Sequence, residues 1–195
     1  MPKENKINNM NSAAYLVQAK KILADTGFKI TDNFSDQSSR AATPLLATNK
    51  TRVLGIFPVV DYVQFLDLTG KESDVDLLMN SHNSLRAYVD ATIKTPKMWR
   101  LSVPNVMTVG LSPNDFDSTV MESVARSTHI KSGGEKHSLY LVQLTAGRVY
   151  SQDKQQITGR DALSGLQLKM TPERVDPTNR GYNLIRELTD NIFNQ

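Results

Sequence analysis

Two short stretches concentrate side chains that could do chemistry. "LDLTGKESDVD" (66–76) carries Asp67, Thr69, Lys71, Glu72, Asp74 and Asp76, and "LSPNDFDS" (111–118) carries Ser112, Asn114, Asp115 and Asp117. Each follows an apolar run and precedes a segment of helical period, so each reads as a strand-to-helix turn. Turns of this kind line the edge of an open α/β sheet where ligands collect. If the two turns meet there, Asp67, Glu72, Asp115 and Asp117 form an all-oxygen site of the type Mg²⁺ prefers. The chemistry would then be metal-dependent hydrolysis or phosphoryl transfer. The alternative is that acidic residues occupy first helical turns because they oppose the positive end of the helix dipole, at roughly 0.3–1 kcal/mol each.

A second candidate is "KTPKMWR" (94–100), which joins Lys94, Lys97 and Arg100 to the single tryptophan, Trp99. Cations neutralise phosphates and an indole stacks on a base, so this combination reads as a nucleic-acid contact. The same residues also suit a helix C-terminus, with Trp99 as an apolar anchor. The glycine pair in "IKSGGEKHS" (130–138) lies after a helix and before a strand. Phosphate loops need the reverse order, strand then glycines then helix N-terminus, so this pair reads as a connector. Of the histidines, His82 lies on the apolar stripe of a helix, where packing competes with a role as a base. No serine sits in a Gly-x-Ser-x-Gly elbow.

These residues need a scaffold to position them. A helix is expected from Ser12, with Ser12 as N-cap and Gly27 just past its end. Residues 31–50 are rich in Ser, Thr, Asn and Asp and read mostly as loop. "TRVLGIFPVVDYVQFLDLTG" predicts strands near 52–57 and 60–68, interrupted at Pro58. The run 59–68, broken only by Asp61, Gln64 and Asp67, predicts a strand covered on both faces. Residues 73–93 form an amphipathic helix capped by Ser73. Residues 105–111 and 138–145 read as strands joined by a helix from Ser112–Pro113 to about Thr128, a parallel crossover. "AGRVYSQ" reads as a short antiparallel edge, and 179–193 as a terminal helix.

The expected fold is therefore α/β, a single mixed β-sheet flanked by helices in the approximate order α-β-β-β-α-β-α-β with a C-terminal helix. Residues 1–11 read as a flexible tail, 12–150 as the core, and 151–195 as a polar arm and a helix packed on the core or on a partner. The order helix, three strands, helix, strand resembles the layout of restriction-endonuclease-like nucleases. That resemblance implies an Asp followed on the next strand by Glu-x-Lys or Gln-x-Lys. Asp61 or Asp67 could serve as the Asp, but Gln64 is followed two places on by Leu66 instead of Lys. The implied catalytic set is incomplete.

Composition bounds the rest. The chain has 195 residues, 39% hydrophobic and 22% charged, with a formal charge of +3. This is a globular composition whose slight basic excess does not dictate a partner. There is no cysteine, which excludes disulfides, thiolate nucleophiles and Cys-ligated zinc and suits the cytoplasm. No apolar run approaches the roughly 20 residues of a membrane span, and the start lacks a signal-peptide core. Three classes of function stay open: a nucleic-acid-associated protein, a Mg²⁺-dependent hydrolase or phosphoryl-transfer enzyme, and an interaction module that self-associates through its C-terminal helix.

Overall fold

A computed structural model of the chain describes residues 10–34, 43–53, 57–93, 103–126, 136–151 and 180–194. The elements run α1 (Ser12–Asp25), β1 (Lys29–Phe34), β2 (Thr43–Val53), β3 (Phe57–Asp67), α2 (Val75–Thr92), β4 (Val103–Ser112), α3 (Ser118–Arg126), β5 (Lys136–Gln143), β6 (Arg148–Tyr150) and α4 (Arg180–Phe193). The strands form one six-stranded sheet in chain order. β1, β2 and β3 are an antiparallel meander, β3, β4 and β5 are parallel, and β6 returns antiparallel to β5. The expected mixed α/β sheet flanked by helices is present.

Strand alternation assigns the two faces. Leu45, Ala47, Val63, Phe65, Met107, Val109, Leu111, Tyr140 and Val142 share a core with Tyr15, Ala19 and Leu23 of α1 and Ile185, Leu188 and Ile192 of α4. The opposite face packs on α2 and α3 through Leu66, Leu68, Leu139 and Leu141 with Leu78, Val120 and Val124, and through Leu46, Tyr62 and Val106 with Leu85 and Val89. Every β4 residue from Pro104 to Ser112 is buried, as expected of a central strand covered on both faces. The apolar stripe of α4, which self-association would have used, packs within the chain against α1 and the sheet. Tyr15 fixes that contact. Thr189 Oγ1 donates to the carbonyl of Ile185 at 2.7 Å, so the 2.9 Å bond runs from the Tyr15 hydroxyl to Thr189.

Several expectations are corrected. Residues 43–50 are not loop but most of β2, whose backbone groups pair with β1 on one side and β3 on the other. The polar residues around "LLA" hid a strand whose Leu45, Leu46 and Ala47 are buried in the core. Pro58 does not separate two strands, because it sits at the second position of β3 opposite Arg52, where a strand end tolerates the missing N–H. The α1 N-cap is Asn11, whose side chain accepts from Ala14 N, and Ser12 is the first helical residue. Asp74, not Ser73, caps α2 by accepting from Leu77 N. Ser112 ends β4, so α3 begins at Ser118, five residues after the predicted first helical residue Pro113, with Asp117 accepting from Thr119 N at 2.8 Å. Gly27 does follow α1 with φ of 90°, the left-handed geometry that favours glycine after a helix.

Candidate functional site

The two acidic turns meet. β3 and β4 lie side by side in parallel, so Asp67 pairs with Leu111, and the ladder continues as Leu68 N donates to Leu111 O at 2.8 Å. The turns that follow are joined through Glu72. Its Oε1 accepts from Ser112 Oγ at 2.6 Å, Asn114 Nδ2 at 2.8 Å and Gly70 N at 2.9 Å. Gly70 has φ of 75°, a conformation open to glycine that turns its N–H toward the carboxylate. The backbone carbonyl of Glu72 also accepts from Asp117 N at 3.2 Å. These bonds, led by that from Ser112, hold the Glu72 carboxyl down at about 2 against a partial burial that would raise it.

Each remaining carboxylate in the predicted set has its own donors. Asp67 Oδ1 accepts from Ser12 Oγ at 2.9 Å, Thr69 N at 2.9 Å and Thr69 Oγ1 at 2.6 Å, which draws the start of α1 onto the rim. Burial acts to raise the Asp67 pKa, but the Thr69 and Ser12 bonds with the charge of Lys71 outweigh it, and the net direction is down. Asp117 Oδ1 takes both the hydroxyl and the N–H of Thr119, which lowers its pKa. Asp115 accepts from Gln143 Nε2, whose Oε1 takes the Tyr150 hydroxyl at 3.1 Å. Among the described residues no three His, Asp or Glu side chains gather as a metal-binding group. The rim is a hydrogen-bonded clasp between two crossovers.

Glu72→Ala removes that clasp and is expected to cost about 1–2 kcal/mol, since bonds to a charged acceptor are among the stronger ones. The folded carboxyl lies near 2 and the ordinary value is 4.5, so its contribution is complete above pH 4.5 and fades as pH falls toward 2. Urea unfolding of both proteins at pH 7 and pH 3 checks this. A difference as large at pH 3 as at pH 7 would remove Glu72 as the source.

Within the sheet, each polar residue that interrupts β3 has a partner. Gln64 Nε2 donates to the Ser81 carbonyl at 2.9 Å and to Thr108 Oγ1 at 2.7 Å. A carbonyl only accepts, so the amide orientation is settled. Thr108 Oγ1 accepts from Gln64 and also pairs with His82 Nδ1 at 2.8 Å. The other ring nitrogen, His82 Nε2, faces His137 Nδ1 at 3.5 Å. Burial, seconded by His137 and Arg86, pulls the His82 pKa down to about 3, so His82 is a packed neutral ring. On the other face Asn105 Nδ2 donates to the fully buried Asp61 at 3.0 Å. Polar residues inside an apolar run were the one sequence signal for this pair.

Lys94, Lys97, Trp99 and Arg100 lie outside the described residues, as do the glycine pair 133–134 and the arm 152–179. Among the described residues no helix is long and apolar enough to cross a membrane. No family model, no curated protein and no solved structure matches this chain.

Proposed function

We propose that the protein is a nucleic-acid-associated protein built on a nuclease-like core without the catalytic set. The observation that carries the reading is the path of the chain: α1, the antiparallel β1–β2–β3, α2, then β4 parallel to β3. This path is similar to the layout on which the resemblance to restriction-endonuclease-like nucleases was drawn. Gln64 shares β3 with Asp61 and Asp67, so the Asp and the Gln do not fall on successive strands, and it gives both amide hydrogens to the Ser81 carbonyl of α2 and to Thr108 of β4. Leu66 stands where the lysine would be and is buried against α2 and α3. Binding without cleavage follows. Lys94, Lys97, Trp99 and Arg100 precede β4 in the chain and would supply phosphate neutralisation and base stacking.

The test is binding to single- and double-stranded DNA and RNA between 50 and 200 mM salt, on the order of the range where counterion release is readable. Affinity should fall steeply with salt. The triple variant K94A/K97A/R100A should flatten the log–log slope by about 0.7–0.9 for each lost phosphate contact. No binding to any of these probes at low salt would end the reading. The contact of the two turns through Glu72 favours a second reading, Mg²⁺-dependent hydrolysis or phosphoryl transfer by Asp67, Glu72, Asp115 and Asp117. Product formation that requires Mg²⁺ and vanishes in D67N would support it over binding alone.

A further inference from the structure

The first three strands sort their charges by face. Their carboxylates are Asp32, Asp61 and Asp67, and their lysines are Lys29 and Lys50. Asp32 is opposite Leu45, and Asp61 and Asp67 alternate in step with Val63 and Phe65, so all three fall on the face covered by α1 and α4. Each is engaged there: Asp32 by Lys20, Asp61 by Asn105, and Asp67 by Ser12 and Thr69. Lys29 is opposite Thr48, which is opposite Tyr62, and Lys50 is opposite Val60. Tyr62 and Val60 pack in the cluster under α2, so both lysines belong to the other face. α2 covers that face through Leu85 and Val89 over Leu46, Tyr62 and Val106. Beyond this cover Lys29, Thr31 and Lys50 are exposed, and among the described residues neither lysine has a carboxylate partner.

The lysines also lie toward one end of the sheet. Lys50, Val60 and Pro104 form one row across β2, β3 and β4. Val103, just before Pro104, opens β4, and Ile93, the C-cap of α2, packs on the same cluster as Val60. The connection 94–102, which carries Lys94, Lys97, Trp99 and Arg100, therefore begins and ends beside the row of Lys50. Asp67 stands further along β3, about 20 Å away by strand rise. Its end of the sheet is anionic, because hydrogen bonds keep Asp67, Glu72 and Asp117 ionised at neutral pH. A phosphodiester chain is repelled there and attracted to the unpaired lysines. Resting on the nucleic-acid reading above, we propose that the exposed face of β1 and β2, with Lys29 and Lys50, is a phosphate-contacting surface continuous with residues 94–100. Nucleic acid then crosses the sheet at this end and not over the acidic rim. The two lysines are diagonal neighbours on adjacent strands, about 7–8 Å apart at the backbone, near enough for both to hold one strand of nucleic acid. Such contacts neutralise phosphate without reading bases, so the surface takes nucleic acid irrespective of its sequence.

The test is binding of the full chain to single- and double-stranded DNA and RNA across a salt series, for the parent and three variants. K29A/K50A should weaken binding and flatten the log–log salt slope by about 0.7–0.9 for each lysine. K21A/R148A removes the same charge from exposed residues of α1 and β6 and should keep the parent slope. K29R/K50R keeps the charge and should bind as the parent does, which separates phosphate contact from any effect of the lysines on the strands themselves. A K29A/K50A protein with the parent affinity and slope overturns this inference, and the nucleic-acid reading then stands if K94A/K97A/R100A still flattens the slope. Equal flattening in K21A/R148A also overturns it, because the effect is then one of net charge and not of place. No binding by the parent at low salt ends both.

Discussion

Between pH 6.5 and pH 5 the protein is expected to lose stability at up to about 1.4 kcal/mol per pH unit, the slope of one proton taken up on unfolding. The group responsible is His82. Its ring is 3% exposed between α2 and the sheet. Burial first, then His137 and Arg86, bring its pKa from the ordinary 6.5 to about 3. In this window the unfolded chain takes up a proton that the folded ring refuses, so stability is complete above 6.5 and falls as the pH drops. Carboxylates titrate mostly lower, which leaves the upper part of the window to histidine.

Urea unfolding at pH 7, 6 and 5 measures the slope. His82→Gln should be less stable at pH 7, because Thr108 loses its bond to the ring nitrogen. It should also be nearly flat between pH 6.5 and 5. A parent protein as stable at pH 5 as at pH 7 would mean that His82 is open to solvent. His137, half-buried at the start of β5, is the nearest titratable neighbour, and His137→Gln should leave most of the slope in place.

Phe65→Ala is expected to cost about 3–5 kcal/mol, the range for emptying a fully buried aromatic site. Phe65 is 0% exposed, in the middle of the core shared by the sheet, α1 and α4. Its ring meets that of Tyr15 with centroids 6.4 Å apart at 53°, so the cavity would open under α1. Val17→Ala in the same helix is expected to stay within about 0.5 kcal/mol, because Val17 is 70% exposed. Chemical denaturation of the two variants compares them directly. Similar losses for both would mean that α1 packs through another face than the one carrying Tyr15, Ala19 and Leu23.

The contrast between Phe65 and Val17 shows how far the residues could be read. Residue types predicted a helix starting near Ser12, but an apolar residue such as Val17 is not thereby on the packed face, since Val17 is 70% exposed. The face that does pack is set by Tyr15 reaching Phe65 and Thr189, contacts that span 50 and 174 residues of chain. The same limit hid β2. "TPLLATNKTRV" has too little apolar period to announce a strand, and its partners on both sides come from elsewhere in the sequence. At the rim, the acidic residues of both turns were legible as types. That Ser112 belongs to the clasp on Glu72, and not to a helix cap, depends on β3 and β4 being neighbours.

By itself the sequence determined the alternation of apolar runs and amphipathic segments. It thereby set a mixed sheet between helices, a buried β4, a terminal helix with one apolar face, and a chemistry without thiolates. These are local properties, written in period and composition. Only the tertiary structure decided which polar groups meet: Glu72 with Ser112 and Asn114, Gln64 with Thr108 and His82, Asp61 with Asn105. The reason is physical. Polar partners in a sheet are chosen by strand register, and register is a property of two segments together that neither carries alone.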